Sequence, residues 1–147
     1  MKNNLNKKTL ATLILASIGL IDSIYLYLIK LTHNPEICLK GIGDCWSVNT
    51  SRYSEVYGIP VAVLGALAYL VILILAIFDK QNSFLSKYGI YGIFGISLVG
   101  VVYSAYLTYL EIFVIKAICP FCVLSAIFQV AIFVITITRM YSDTAGH

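Results

Sequence analysis

Charge is scarce in this chain. Only 12% of its 147 residues are charged, against 60% hydrophobic residues and a mean hydropathy of +0.90. That balance excludes an ordinary soluble domain of this size and indicates an integral membrane protein. The basic residues are scattered through short flanks and never form a block, which excludes an extended nucleic-acid surface; the net charge of +3 reflects membrane anchoring. No Gly-x-Gly-x-x-Gly fingerprint follows a strand and no Cys-x-x-Cys-His is present, which argues against a dinucleotide fold and covalently attached haem. His33 and His147 have no partner pattern that suggests metal binding. No low-complexity tail or internal repeat breaks the chain, so one membrane domain over 1–147 is expected.

What is present is apolar length. Four stretches, near 10–31, 59–78, 89–110 and 120–138, are long enough to cross a hydrocarbon core of about 30 Å, which takes roughly 20 residues at about 1.5 Å each. Helices satisfy the backbone in lipid, so the expected fold is an all-α, four-helix transmembrane bundle with one sizeable non-membrane segment, 32–57. Lys2, Lys7 and Lys8 resemble a signal-peptide preface, but the apolar span is too long and lacks a small-x-small cleavage site, so it reads as an uncleaved first span. Lys2, Lys7, Lys8, Lys80, Lys87 and Arg139 collect on one side; Lys30, Lys40, Arg52 and Lys116, diluted by acids, collect on the other. This bias places both termini in the cytoplasm and makes the first and third connections extracytoplasmic. All four cysteines then share the outer face, where disulfides persist.

Cys119-Pro120-Phe121-Cys122 stands at the start of the fourth span, where a helix N-terminus favours a thiolate. Cys38 and Cys45 lie in the first connection, with glycines between them that permit turns, so they can close as a small mobile disulfide. About 13 residues separate Cys45 from the second span, a tether reaching roughly 40 Å, which makes contact with Cys119 sterically easy. A loop pair and a helix pair form a natural two-stage thiol–disulfide relay, and a lipid-soluble quinone is the simplest acceptor at that depth. Two other readings stay open at this point: two static disulfides that strengthen a non-catalytic assembly factor or ion-conducting bundle, and a zinc site on four cysteines, whose usual close spacing Cys38 and Cys45 do not match. A thiol carrier working across the membrane would need cysteines on the inner side, and none lies there.

Taken in order, a first helix, two spaced loop cysteines, Cys45-Trp46-Ser47-Val48-Asn49-Thr50-Ser51-Arg52-Tyr53, Tyr57-Gly58-Ile59-Pro60-Val61-Ala62-Val63-Leu64-Gly65 and the Cys119–Cys122 motif resemble the vitamin K epoxide reductase family in its prokaryotic form. The resemblance covers nearly the whole chain. It implies that Cys122 is the thiol nearest the quinone, that Cys119 exchanges with the loop, that Cys45 forms the transient bridge to Cys119, and that Cys38 completes the loop pair that meets the partner. It also implies that Ser51 caps the active site. Bacterial members behave like DsbB, reoxidising a DsbA-like thioredoxin-fold oxidase that introduces disulfides; here that partner is expected to be a separate protein. Vertebrate members carry an asparagine at the outer end of the second helix, whereas Ile59-Pro60-Val61-Ala62-Val63 has no amide. Ubiquinone or menaquinone, rather than vitamin K epoxide, is the acceptor this departure favours.

Among other residues, Tyr103, Tyr106 and Tyr109 repeat at a spacing that shares one helix face near the thiols, with Tyr103 and Tyr106 as candidate quinone-pocket residues and an interfacial aromatic belt as the alternative. Asp22 is the acidic residue well inside a span and a candidate for proton movement or helix packing. Glu111 and Lys116 read as solvated rim charges. Gly89, Gly92, Gly95 and Gly100 are expected to permit close helix approach.

Overall fold

The computed structural model describes residues 2–34, 36, 43–79 and 83–146. Its helices are α1 (Lys2–Thr32), the short α2 (Cys45–Asn49), α3 (Val61–Asp79), α4 (Ser83–Leu110) and α5 (Pro120–Ala145). The four long ones are apolar and long enough to cross a membrane. They pack as a closed ring: α1 on α3, α3 on α4, α4 on α5 and α5 back on α1.

Polarity is inverted relative to a soluble bundle. On α1, Leu10, Ile14, Ile21 and Leu28 point outward, whereas Thr9, Thr12, Asp22 and Ser23 are buried. Hydrocarbon tails solvate the aliphatic face, and polar side chains find partners only inside the bundle. The central apolar cluster is built from Ala16, Tyr69, Ile72, Ala76, Ile93 and Ile132. Tyr69 lies against Gly19, where any Cβ would strike its ring, and its hydroxyl donates to the Ser125 carbonyl at 2.9 Å.

The helices outrun the apolar windows. α4 begins at Ser83 rather than near 89, and α5 continues past 138 to Ala145. Hydropathy registers only the lipid-facing length, while helical hydrogen bonding continues beyond it. Arg139, expected as a flank charge, is buried instead: its Nη2 is 2.7 Å from Asp79 Oδ2, with side-chain exposures of 3% and 7%. Thr9 Oγ1 donates to the same carboxylate oxygen at 3.3 Å, and Lys8 Nζ donates to the Thr138 carbonyl at 3.2 Å. These contacts tie α1, α3 and α5 together at the end opposite the cysteines.

The first connection is folded along its described part rather than a free tether. Asp44 caps α2 by accepting from the Ser47 N–H at 3.0 Å, and its hydrogen bonds with Ser47 hold its carboxyl below the usual carboxylate range. A single 3-10 turn (Arg52–Ser54) leads into a hairpin of β1 (Glu55–Val56) and β2 (Ile59–Pro60). Tyr57 and Gly58, at φ 52° and 80°, form its two-residue turn, the positive-φ pair that matches strand twist. Three contacts pin the segment down: Asn49 Nδ2 donates to the Leu26 carbonyl at 2.7 Å, the Asp44 N–H to the Ile118 carbonyl at 2.9 Å, and Lys30 pairs with Glu55 at 2.8 Å. Reach does not bring Cys45 to the helix pair; packing does.

Candidate active site at the cysteine end of the bundle

Cys119 is the N-cap of α5 and Pro120 occupies the first turn, where its missing N–H costs nothing. The cap is the sulfur itself: Cys119 Sγ accepts from the Cys122 N–H at 3.3 Å. The two sulfurs stand 2.7 Å apart, and Cys45 is hydrogen-bonded to Cys119 from the other side. Cys119 is thus the middle of three contiguous thiols. It is 0% exposed and Cys45 only 2%, while Cys122 is half-buried. Cys38 lies outside the described residues.

The helix N-terminus alone would draw Cys119 toward the thiolate. Two opposing effects are stronger: the hydrogen bond shared with Cys122, then burial, push its thiol well above the usual thiol range.

Local geometry explains how Cys45 arrives there. Gly43 has φ 109°, and a Cβ at this position would collide with the Ile118 carbonyl, so only glycine lets the chain pass close enough to the third connection. Leu26, Ile29 and Val48 then close over Cys45 and Cys119 in one buried cluster. Tyr25 packs on Phe121 with ring centroids 5.0 Å apart, fixing the turn that carries the helix pair.

Glu111 is placed differently from the solvated rim charge its position suggested. The chain continues past Leu110 as a π turn (Glu111–Ile115), which ends at Lys116 in the left-handed conformation, φ 55°. This turn rotates Glu111 inward to 3% exposure, where its Oε2 accepts from the Cys119 N–H at 3.2 Å. Lys116 stays exposed. The signal for Glu111 was a lone carboxylate followed by Ile112-Phe113-Val114-Ile115, a run as apolar as the span before it.

A cavity of about 580 Å³, within the usual size range of small-molecule sites, opens beside Cys122. Its walls are mostly apolar and come from α1, α3, α4, α5 and the folded connection. Leu64 of α3 and Val99 of α4 line it and are also partly exposed. Ser51 lines it, with its hydroxyl donated to the Val48 carbonyl at 2.7 Å, as does Tyr103. Tyr106 is not among the lining residues: it is half-exposed and contacts Tyr103 at a centroid distance of 6.1 Å, because three residues advance only about 300° around the helix, and Leu107, one further on, takes the lining face. Tyr109 is likewise exposed. Asp22 is buried, does not line the cavity, and its Oδ2 has no partner among the described residues.

The glycines of α4 divide by role. Gly89 and Gly92 face Leu75 of α3, whereas Gly95 and Gly100 line the cavity. Although residues 59–63 carry no amide, Asn49 and Gln129 both line the cavity. Gln129 escaped the sequence reading. It lies seven residues after Cys122, hence on the same helical face, and its presence in an apolar span was the available signal.

Adjacent thiols at the start of a long apolar helix, beside a mostly apolar cavity, fit a membrane thiol oxidoreductase. The family comparison agrees with that class. The profile described as "Vitamin K epoxide reductase family" matches residues 10–137, and the chain belongs to this family. It is accordingly a multi-pass membrane protein and an oxidoreductase of a quinone-linked family.

Proposed function

We propose that the protein oxidises the thiols of a separate thioredoxin-fold oxidase and passes the electrons to ubiquinone or menaquinone, sustaining disulfide formation outside the cytoplasm. The observation that carries this reading is the position of Cys119, in contact with Cys45 on one side and Cys122 on the other. Cys122 in turn lines the cavity.

The partner's dithiol attacks the Cys38–Cys45 disulfide and leaves oxidised. Cys45, now a thiolate, attacks Cys119 of the Cys119–Cys122 disulfide; a Cys45–Cys119 bond forms, and Cys122 is released as a thiolate facing the cavity. Cys38 then attacks Cys45, restoring the loop disulfide and freeing Cys119. A bound quinone supplies the sink for the two electrons and two protons of the dithiol. The chain's own residues arrange that transfer. The hydrogen bond with Cys122 and then burial push the Cys119 thiol up, and Cys122 is the sulfur at the cavity wall. Glu111, the carboxyl group among the cavity-lining residues described, is the group placed to hand on protons while it holds the Cys119 N–H. The fit of an isoprenoid quinone rests on the apolar walls and on the partly exposed Leu64 and Val99 among them. The basic cluster Lys2, Lys7 and Lys8 supports cytoplasmic termini and an outward-facing thiol end; Arg139, neutralised by Asp79, drops out of that argument.

The test is quinone reduction by purified protein in detergent, with a reduced thioredoxin-fold oxidase as donor. Turnover is expected in wild type and lost in Cys122→Ala and Cys38→Ala, with Cys38→Ala rescued by a small dithiol. A folded wild-type protein that reduces no quinone contradicts the proposal.

A further inference from the structure

We propose that Gln129 is a quinone-head-group ligand, its side-chain amide hydrogen-bonding the carbonyl oxygen on the side of the ring remote from Cys122. This rests on the quinone reading above and adds a residue that sets the depth and orientation of the head group.

Two amides line the cavity and their hydrogen bonding differs. Asn49 has its Nδ2 committed to the Leu26 carbonyl at 2.7 Å. Gln129 is 4% exposed and its Nε2 has no partner among the described residues. That nitrogen packs against Gly100, and a buried donor left unmade costs about 1–3 kcal/mol; turning the amide about its last side-chain torsion presents the N–H to an occupant of the cavity that Gln129 lines. The Tyr69 hydroxyl, by contrast, is already engaged: it donates to the Ser125 carbonyl and lies 3.0 Å from Ser125 Oγ.

Space is reserved for this amide. A Cβ at Gly100 on the facing helix would overlap the Gln129 side chain, so a glycine there gives it room at the cavity wall. Cys122, Ser125 and Gln129 follow one another at spacings of three and four, on one face of α5. Gln129 therefore lies about 10 Å deeper than Cys122 along the helix, at about 1.5 Å per residue. A ring held between them presents one side to the sulfur and the other to the amide. An amide also suits both redox forms, because it offers an N–H to a quinone carbonyl and, after rotation, a carbonyl to a quinol hydroxyl.

The test is binding and infrared difference spectroscopy of short-tailed ubiquinone, labelled with ¹³C at each ring carbonyl in turn, on wild type and Gln129→Met. In wild type one carbonyl stretch is expected to sit lower than in detergent alone. In Gln129→Met that shift disappears and binding weakens roughly tenfold, the size of one buried hydrogen bond, while reduction of the Cys119–Cys122 pair by dithiothreitol is unchanged. Should Gln129→Met fail to fold, Gly100→Ala displaces the amide and is expected to abolish the same shift. Saturable binding with a stretch that neither substitution alters overturns the Gln129 contact alone. No saturable binding by wild type of either short-tailed ubiquinone or a short-tailed menaquinone run beside it overturns the quinone reading and this inference together.

Discussion

The two ends of the bundle bury polar groups to opposite effect. At the end away from the cysteines, Asp79 and Arg139 form an ion pair at 2.7 Å, with Thr9 as a second donor. At the cysteine end the buried groups include Cys45, Cys119 and Glu111, and the Cys119 sulfur touches more than one neighbour. A buried ion pair has one satisfactory arrangement, and losing either partner strands a charge in low dielectric. Sulfurs can exchange partners through one thiolate at a time, with the total charge unchanged at each exchange, so burial there excludes water without freezing the chemistry. One end is built to stay shut and the other to rearrange.

That contrast can be broken at either end. The largest effect is expected from Cys119→Ala, which removes the middle sulfur: turnover of thiol to quinone falls to background while helicity by circular dichroism is retained. Next is Arg139→Met, which leaves Asp79 unpaired and is expected to destabilise the fold by about 3–5 kcal/mol. Thermal unfolding should show the loss, with the double variant Asp79→Leu/Arg139→Met recovering most of it. Gly43→Ala is expected to cost about 1–3 kcal/mol through its positive φ and its collision with Ile118. The stability change is smaller than at Arg139, yet Cys45-to-Cys119 exchange, followed by alkylation and mass spectrometry, slows markedly as α2 lifts from the third connection. Smallest of all is Tyr106→Phe, which should leave the KM for quinone unchanged because Tyr106 faces away from the cavity, whereas Tyr103→Phe is expected to alter it modestly.

The same contrast explains what could be read from sequence. The four spans were legible because about 20 apolar residues leave the backbone few alternatives in lipid. The Cys119–Cys122 motif was legible because it coincides with a helix start, and Cys45 because its spacing matched a known pattern. The folding of the first connection was not legible. It depends on single backbone contacts to Leu26 and Ile118, groups far away in sequence that carry no local signal. Glu111, Gln129 and Asp79 share another cause. Each is one polar residue in or at the end of an apolar run, and only packing decides whether it faces a partner, a cavity or water. Glu111 turned inward because the helix changed to a π turn at that residue, a change that no periodicity in the sequence announces.

The most direct measurement is disulfide mapping of Cys122→Ala by non-reducing peptide mass spectrometry, after reaction with a reduced thioredoxin-fold oxidase and mild reoxidation, beside Cys119→Ala as control. With Cys122 absent, Cys119 has one contacting thiol left among the described residues, Cys45, and a Cys45–Cys119 linked peptide is expected to accumulate and to be absent from the control. Recovery of Cys119 as an unlinked thiol while Cys45 cycles normally would contradict a relay through the middle sulfur.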